Sequence, residues 1–157
     1  MTRMTLVAAS AAFLVLGAAG ASAAPGAAMI VHKDPNCGCC GAWIDHVRAA
    51  GFAVEVRDTT RMDEIKAALG VPDDLLSCHT AEVGGYVLEG HVPVSAIEAV
   101  LAQRPGVVGV AVPGMPMGSP GMDAPGMVAE PYEVVLFAEN DVRHPLGTFV
   151  GAQRADR

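Results

Sequence analysis

Apolar and polar positions along the chain follow patterns that predict a succession of strands and helices. The apolar run Met29–His32 predicts a short buried strand, and the alternation in Phe52–Val56 predicts a second strand. Between them, Trp43–Ala50 has the spacing of a helix, and Gly51 is a residue type that commonly ends one. This strand–helix–strand unit implies two parallel strands joined by a right-handed crossover.

Two further helices are predicted from capping boxes, in which a hydroxyl residue is followed three positions later by an acidic residue. Thr60 and Asp63 would open a helix over Met62–Leu69. Ser95 and Glu98 would open another, which ends before the next Pro-Gly pair. Both segments are therefore expected to begin with a side-chain hydrogen bond to the backbone.

A hairpin is predicted between these two helices. Its strands are Glu82–Leu88 and His91–Val92, joined by a turn at Glu89 and Gly90. The predicted order is β-α-β-α-β-β-α, which is that of a thioredoxin-like α/β domain with three layers and a mixed sheet. In that topology the loop after the first strand and the loop entering the third strand lie at one edge of the sheet.

The composition changes after residue 105. Val107–Val112 is apolar, but residues 113–127 carry Pro or Gly so often that they predict an irregular, methionine-rich loop. Tyr132–Phe137 predicts a C-terminal strand extension, and residues 151–157 predict a disordered tail. Residues 25–150 are accordingly expected to form a single domain.

Residues 1–24 have the features of a secretory signal peptide. Arg3 provides a basic start, and Leu6–Leu16 forms an apolar core. The small residues after this core provide a cleavage site near Ala23 or Ala24. The apolar core is short for a transmembrane anchor. The sequence thus predicts a periplasmic or secreted protein with no membrane segment after cleavage.

Charge and motif content narrow the possible functions. The formal net charge of −7 disfavours nucleic acid and anionic lipid as partners and suits cations. The chain contains no nucleophile-elbow motif, no phosphate-binding loop and no defensible pair of catalytic carboxylates. A binding protein is therefore favoured over an enzyme of these classes.

Three of the four cysteines, Cys37, Cys39 and Cys40, lie within four residues, and the fourth, Cys78, is followed by His79. The first group occupies the loop after the first predicted strand, and the second occupies the loop entering the third. Thiolates and imidazoles are good ligands for soft metals. These five residues are therefore expected to form a metal site at one edge of the sheet.

Cys37 and Cys40 also form a C-x-x-C motif at the expected start of a helix, where the helix dipole favours thiolate. A thiol–disulfide oxidoreductase using these two cysteines is therefore the main alternative. Metal binding is favoured because Cys39 would offer competing disulfides, and because Cys78 and His79 stand where thioredoxins carry a proline. A non-catalytic partner-binding module stapled by its cysteines is a third alternative.

Ligand softness indicates which metal would bind. Three or four thiolates with an imidazole suit copper(I) or zinc. Adjacent thiols and nearby thioethers favour copper(I), for resistance, storage or delivery to a copper transport partner. Met115, Met117, Met122 and His91 are candidate additional ligands, although the methionines equally suit a hydrophobic lid over the cysteines.

Three stretches are similar to signatures of the family labelled domain of unknown function 411: Lys33–Trp43, Gly90–Pro93 and Val112–Met122. The resemblance covers essentially the whole mature chain. It implies an exported, thioredoxin-like, metal-binding protein associated with copper and other heavy metals. It also carries over, as candidate functional positions, Cys37, Cys39, Cys40, Cys78, His79 and His91.

Overall fold

The structure is a computed structural model that describes residues 27–155. The predicted signal peptide and residues 156–157 lie outside this range. No helix within the range is long and apolar enough to cross a membrane. The strands are β1 Ala28–Lys33, β2 Ala53–Asp58, β3 His79–Val83, β4 Tyr86–Glu89, β5 Gly109–Ala111, β6 Pro131–Phe137, β7 Arg143–Val150 and β8 Gln153–Arg154. The helices are α1 Gly38–Ala49, α2 Met62–Ala68 and α3 Val94–Gln103, with a 3-10 turn at Asp73–Leu75.

The eight strands form one mixed sheet in the order β2-β1-β3-β4-β5-β6-β7-β8. The β1–β2 and β4–β5 pairs are parallel, and the other neighbours are antiparallel. Strands β1 to β4 and the three helices have the predicted thioredoxin-like order, which confirms the fold class. The C-terminal extension is larger than the single predicted strand, because β5, β6, β7 and β8 all join the same sheet.

Helical segments cover both faces of the sheet, which gives three layers. One face packs α1 and α3 against the strands, through residues such as Trp43, Ile97 and Leu88. Because neighbouring strand residues point to opposite faces, Val87 lies on the other face, where it packs with Leu75 near the end of the α2 segment. Apolar burial on both faces is the main source of stability.

The hairpin lies earlier in the chain than predicted. Its strands are β3 and β4, and its turn is Gly84-Gly85, with φ values of +59° and +89°. A two-residue hairpin turn with positive φ at both positions favours glycine, because other residues are strained there. The predicted turn at Glu89 and Gly90 was therefore wrong, and Glu89 is instead the last residue of β4.

Neither predicted capping box forms. The residue before α2 is Arg61, and the residue before α3 is Pro93; neither helix start has a side-chain capping hydrogen bond. Pro93 has φ −65°, which is already suited to a helix start. Consequently α3 begins at Val94, and Ser95 lies inside its first turn rather than at its cap.

The C-terminal end is more ordered than predicted. Gln153 and Arg154 pair with the end of β7, so the predicted disorder does not hold for this part of the tail. Isolated polar residues gave no strand pattern, and the pairing depends on the exposed edge that β7 offers. The methionine-rich segment, residues 113–127, contains neither helix nor strand, as predicted.

Replacing Gly109 by alanine tests the parallel pairing of β4 and β5. An added Cβ would collide with the carbonyl oxygen of Val87 and lie 2.6 Å from Cζ of Phe137. Overpacking typically costs 1–3 kcal/mol, so we expect the free energy of unfolding to fall by about 1 kcal/mol or more in a denaturant titration. Gly106→Ala is the matched control, since nothing lies within 4 Å of an added Cβ there. Equal stability of the two variants would contradict this strand register.

Candidate metal centre

The first cysteine group lies at the start of α1. After β1 the chain turns at Asp34, whose carbonyl accepts a 3.0 Å hydrogen bond from the Cys37 backbone N–H. Helix α1 then begins at Gly38, so Cys39 and Cys40 lie in its first turn. The helix therefore begins before the span predicted from periodicity, Trp43–Ala50, because the glycine- and cysteine-rich stretch has no apolar periodicity; its start agrees with the position expected for the C-x-x-C motif. The first turn contains no acidic residue, so the positive end of the helix dipole is available to thiolates.

Two of the predicted ligands are joined to each other. Cys37 and Cys40 form a disulfide, with their Cα atoms 5.4 Å apart, whereas Cys39 and Cys78 are free thiols. The four sulfur atoms nevertheless lie within 4.8 Å of one another. In this state two thiols are available as ligands, and reduction of the disulfide would provide two more.

Cys78 reaches this cluster through the sheet. Strand β1 pairs antiparallel with β3, so the last residue of β1, Lys33, lies opposite the first residue of β3, His79. The Sγ atom of Cys39 is consequently 3.8 Å from that of Cys78 and 3.5 Å from that of Cys37. The two cysteine groups therefore lie together at one edge of the sheet, as the sequence predicts.

Two buried histidines complete the cluster. Nε2 of His91 is 3.0 Å from Sγ of Cys78, and Nδ1 of His79 is 3.3 Å from the same sulfur. Nδ1 of His91 donates to the carbonyl oxygen of Pro120 at 2.8 Å, because a carbonyl can only accept. In a neutral ring, the lone pair of His91 Nε2 then faces the sulfur, as a metal ligand requires.

The ring of His79 is held by aromatic neighbours. Its centroid is 4.4 Å from the Trp43 ring and 5.1 Å from the His91 ring. Its Nε2 atom is buried without a hydrogen-bond partner among the described residues. The fully buried Trp43 donates its indole N–H to the carbonyl of Val92 at 2.9 Å. A buried, unpartnered nitrogen beside a cysteine cluster is consistent with a ligand-binding role.

Burial favours the uncharged forms of three side chains at the site: Cys78, His79 and His91. It raises the pKa of Cys78 to about 12, with the nearby Cys39 adding to the effect. Burial, followed by the charges of His91 and Lys66, lowers the pKa of His79 well below its usual value. Burial also lowers the pKa of His91, against the opposing hydrogen bond to Pro120. The thiol and both imidazoles are therefore neutral, and a metal cation would displace the thiol proton.

The methionine-rich segment lies against this site. The Gly114 carbonyl accepts a hydrogen bond from the Ser77 hydroxyl, and Pro120 holds His91 as described above. Gly121 packs so closely on α1 that an added Cβ would lie 2.6 Å from the Trp43 backbone nitrogen. The segment therefore has the position expected of a lid.

The thioethers themselves remain accessible from outside. Met115 is 53 % exposed and Met117 is 41 % exposed, whereas Met122 is half-buried. Met115 and Met117 therefore do not fill the core.

Sequence reasoning missed a polar group beneath the site, formed by Lys66, Thr80 and Glu89. The sequence predicts Glu89 in a hairpin turn, although it follows the apolar run Tyr86–Leu88 of β4. A carboxylate at the end of a buried strand was the available signal, because buried charges are normally paired. The other histidines belong to neither group of close metal-ligand atoms; His32, for instance, pairs with Glu82.

Comparison with known proteins identifies one matching family model and two similar solved structures. The family model described as "Protein of unknown function, DUF411" matches residues 75–122. A solved structure of copper resistance protein copG, form 2, is 41 % identical, with a TM-score of 0.74, and the match covers 79 % of this chain and 98 % of that one. Form 1 is also 41 % identical, with a TM-score of 0.73, covering 78 % and 97 % of the respective chains. The curated protein sequences contain no match.

Thiol reactivity tests the geometry of the metal-free site. Alkylation of the unreduced protein should modify Cys39 and Cys78 only, since the other two cysteines are in a disulfide. Because the raised pKa keeps Cys78 protonated, its alkylation near neutral pH should be at least about tenfold slower in the folded protein than in the denatured protein. Mass spectrometry of digested samples measures both rates. Equal rates would show that Cys78 is not buried as described.

Proposed function

The chain belongs to the DUF411 family, together with the solved copG copper resistance proteins, and from this relationship we propose that it binds copper(I) for copper resistance. The observation that carries the proposal is the meeting of Cys39, Cys78 and His91 at the reducible Cys37–Cys40 disulfide. Soft sulfur and imidazole ligands at one buried point are what a copper(I) site requires.

The ligand set depends on the oxidation state of the protein. With the disulfide intact, two thiols and two imidazoles are available: Cys39, Cys78, His79 and His91. Such a mixed set also suits tetrahedral zinc. After reduction four thiols converge, and this sulfur-rich set favours copper(I), which accepts thiolates more readily than harder ligands. We therefore assign copper(I) to the reduced form and treat zinc as its competitor.

Export and the cellular role form part of the same proposal. The signal-peptide features of residues 1–24 support a periplasmic or secreted location, where metal resistance would be exerted by storage or delivery. Delivery would require a copper transport partner, and the exposed Met115 and Met117 at the lid are suited to receive or pass on the ion. Thioether ligands bind copper(I) reversibly because they are neutral and soft.

A thiol–disulfide oxidoreductase is the second candidate, and one observation favours it. The Cys37–Cys40 disulfide spans the N-terminus of α1, and Sγ of Cys39 lies 3.5 Å from Sγ of Cys37. A thiol at that distance is placed for exchange with the disulfide. The two candidates differ in what they require of Cys39, which is a ligand in the first and a competitor in the second.

Substitution of Cys39 separates these two functions. We expect Cys39→Ser to lower copper(I) affinity by at least about 100-fold, beyond the loss that is typical of outer-shell changes. Affinity is measured in the reduced protein by competition with a chromogenic copper(I) chelator. His144→Gln is the control, because this histidine lies exposed on β7 and should not affect binding. Unchanged copper(I) affinity with intact Cys37–Cys40 exchange would favour the oxidoreductase.

Replacing the lid methionines tests whether they participate in binding. Substitution of Met115, Met117 and Met122 by leucine nearly preserves volume and apolarity but removes the sulfur lone pairs. We expect a modest loss of copper(I) affinity, because the cysteines should dominate, with thermal stability little changed. The same competition titration and a thermal melt provide the two measurements. An affinity equal to that of the unsubstituted protein would assign these side chains to packing.

A further inference from the structure

A buried ion pair lies beneath the metal centre, on the opposite face of the sheet from α1. Nζ of Lys66 is 2.5 Å from Oε1 of Glu89, and the two residues are 5 % and 0 % exposed. Thr80 joins the pair: its hydroxyl accepts from Lys66 at 2.9 Å and donates to Oε2 of Glu89 at 2.6 Å. These three side chains therefore form one buried hydrogen-bonded group.

Stability alone is a weak explanation for such a pair. Removing two charges from water is costly, and replacing a buried ion pair by apolar residues of similar volume is often neutral or stabilising. Because Lys66 and Glu89 lie 23 residues apart on α2 and β4, the pair does tie two elements together. The other hydrogen bonds of Glu89 indicate which segment the ion pair holds in place.

Glu89 holds both ends of the segment that carries two of the proposed ligands. Its Oε1 accepts a 2.6 Å hydrogen bond from the backbone N–H of Ser77, and its Oε2 accepts the bond from Thr80. Cys78 and His79 are the two residues between these anchors. A single carboxylate, fixed in turn by Lys66, thus restrains the residue before Cys78 and the residue after His79.

The alternation of strand side chains transmits this restraint to the metal centre. Thr80 and His79 are neighbours in β3, so their side chains point to opposite faces of the sheet. Holding the Thr80 hydroxyl on one face therefore fixes the rotation of the strand that places the His79 ring on the other. Gly90 reinforces the position, because its N–H donates to the His79 carbonyl at 3.0 Å.

We propose that Lys66 and Glu89 are positioning residues, which hold the Ser77–Thr80 segment so that Cys78 and His79 meet Cys39 and His91. In its consequence for copper(I) the inference rests on the proposed function. The placement of the Cys78 sulfur against that of Cys39 does not depend on any metal. A test without metal can therefore be kept separate from a test with copper(I).

The double variant Lys66→Met/Glu89→Leu distinguishes positioning from a purely structural role. It removes both charges together, so no unpaired charge is left in the core, and the thermal midpoint is expected to fall by no more than the lost hydrogen bonds of Ser77 and Thr80 require. The restraint on Ser77 and Thr80 is lost all the same. Arg61→Gln/Glu64→Gln is the matched control, since this ion pair is also associated with α2 but is exposed to solvent.

The first readout is metal-free and uses a Cys37→Ser/Cys40→Ser background, so that only Cys39 and Cys78 remain. Equilibration with glutathione gives the effective concentration of one thiol toward the other, which reports how well the two sulfurs are positioned. We expect the double variant to lower this value about tenfold, in line with typical outer-shell effects, and the control pair to leave it unchanged. An unchanged value in a folded double variant would overturn the proposal.

The second readout is copper(I) affinity in the protein with all four cysteines, measured by chelator competition after reduction. A decrease of about tenfold is expected in the double variant while it remains folded at the assay temperature. If the unsubstituted protein binds no copper(I) while the glutathione value still falls, the positioning role stands and the proposed function fails. Unchanged copper(I) affinity in the double variant, with binding intact in the unsubstituted protein, would exclude a positioning role at the metal centre.

Glu89→Gln keeps the test decisive if the double variant does not fold. The amide oxygen can still accept from Ser77, but the amide nitrogen presents donors to Thr80 in place of an acceptor. We expect a smaller loss in the glutathione value than for the double variant, and no loss would again overturn the proposal.

Discussion

The antiparallel pairing of β1 with β3 is the constraint on which the site depends. It places the end of β1, and with it the start of α1, beside the start of β3. Cys39 and Cys78 are 39 residues apart in sequence, yet their sulfurs lie 3.8 Å apart. A shift of the register by one residue would turn the His79 side chain to the opposite face of the sheet and dissolve the cluster.

The side chains gathered by this strand pairing differ in their exposure to solvent. Cys39 and Cys78 are half-buried, whereas His79 and His91 are fully buried. Burial suppresses ionisation, so Cys78 carries a protonated thiol and His79 and His91 carry neutral imidazoles instead of charges that the core could not solvate. Such a site gains charge complementarity only when a cation replaces a proton, and this ties metal binding to proton release.

The disulfide adds a second variable to the same site. Cys37 and Cys40 contribute no thiolate while they are bonded to each other, although their sulfurs remain within 4.8 Å of those of Cys39 and Cys78. The number of free thiols at the site therefore depends on the redox state. The lid carbonyl of Pro120 orients His91, one of the two histidines of the site. Metal preference in this protein would accordingly follow the redox conditions of its compartment.

Much of this architecture is already determined by local sequence. The apolar periodicity of the segments, the clustering of three cysteines and the Pro/Gly content of residues 113–127 predict the helix–strand order, the chemistry of the site and the irregular lid, because each is a property of neighbouring residues. The misplaced hairpin shows the limit of that information: Glu89 and Gly90 resemble a turn locally, but the Gly84-Gly85 turn fits the twist of the strands.

Only the tertiary structure decided which distant groups meet. The approach of Cys39 to Cys78, the contact of His91 with Cys78 and the burial of Lys66 with Glu89 all depend on how separate elements pack around the sheet. Sequence periodicity does not predict such contacts. A charged or polar residue is expected to be exposed, and it becomes buried only when another element supplies a partner for it. The sequence by itself thus determined which thiol and imidazole side chains are candidate ligands. The packing of the sheet determined their geometry and the residues that hold them in place.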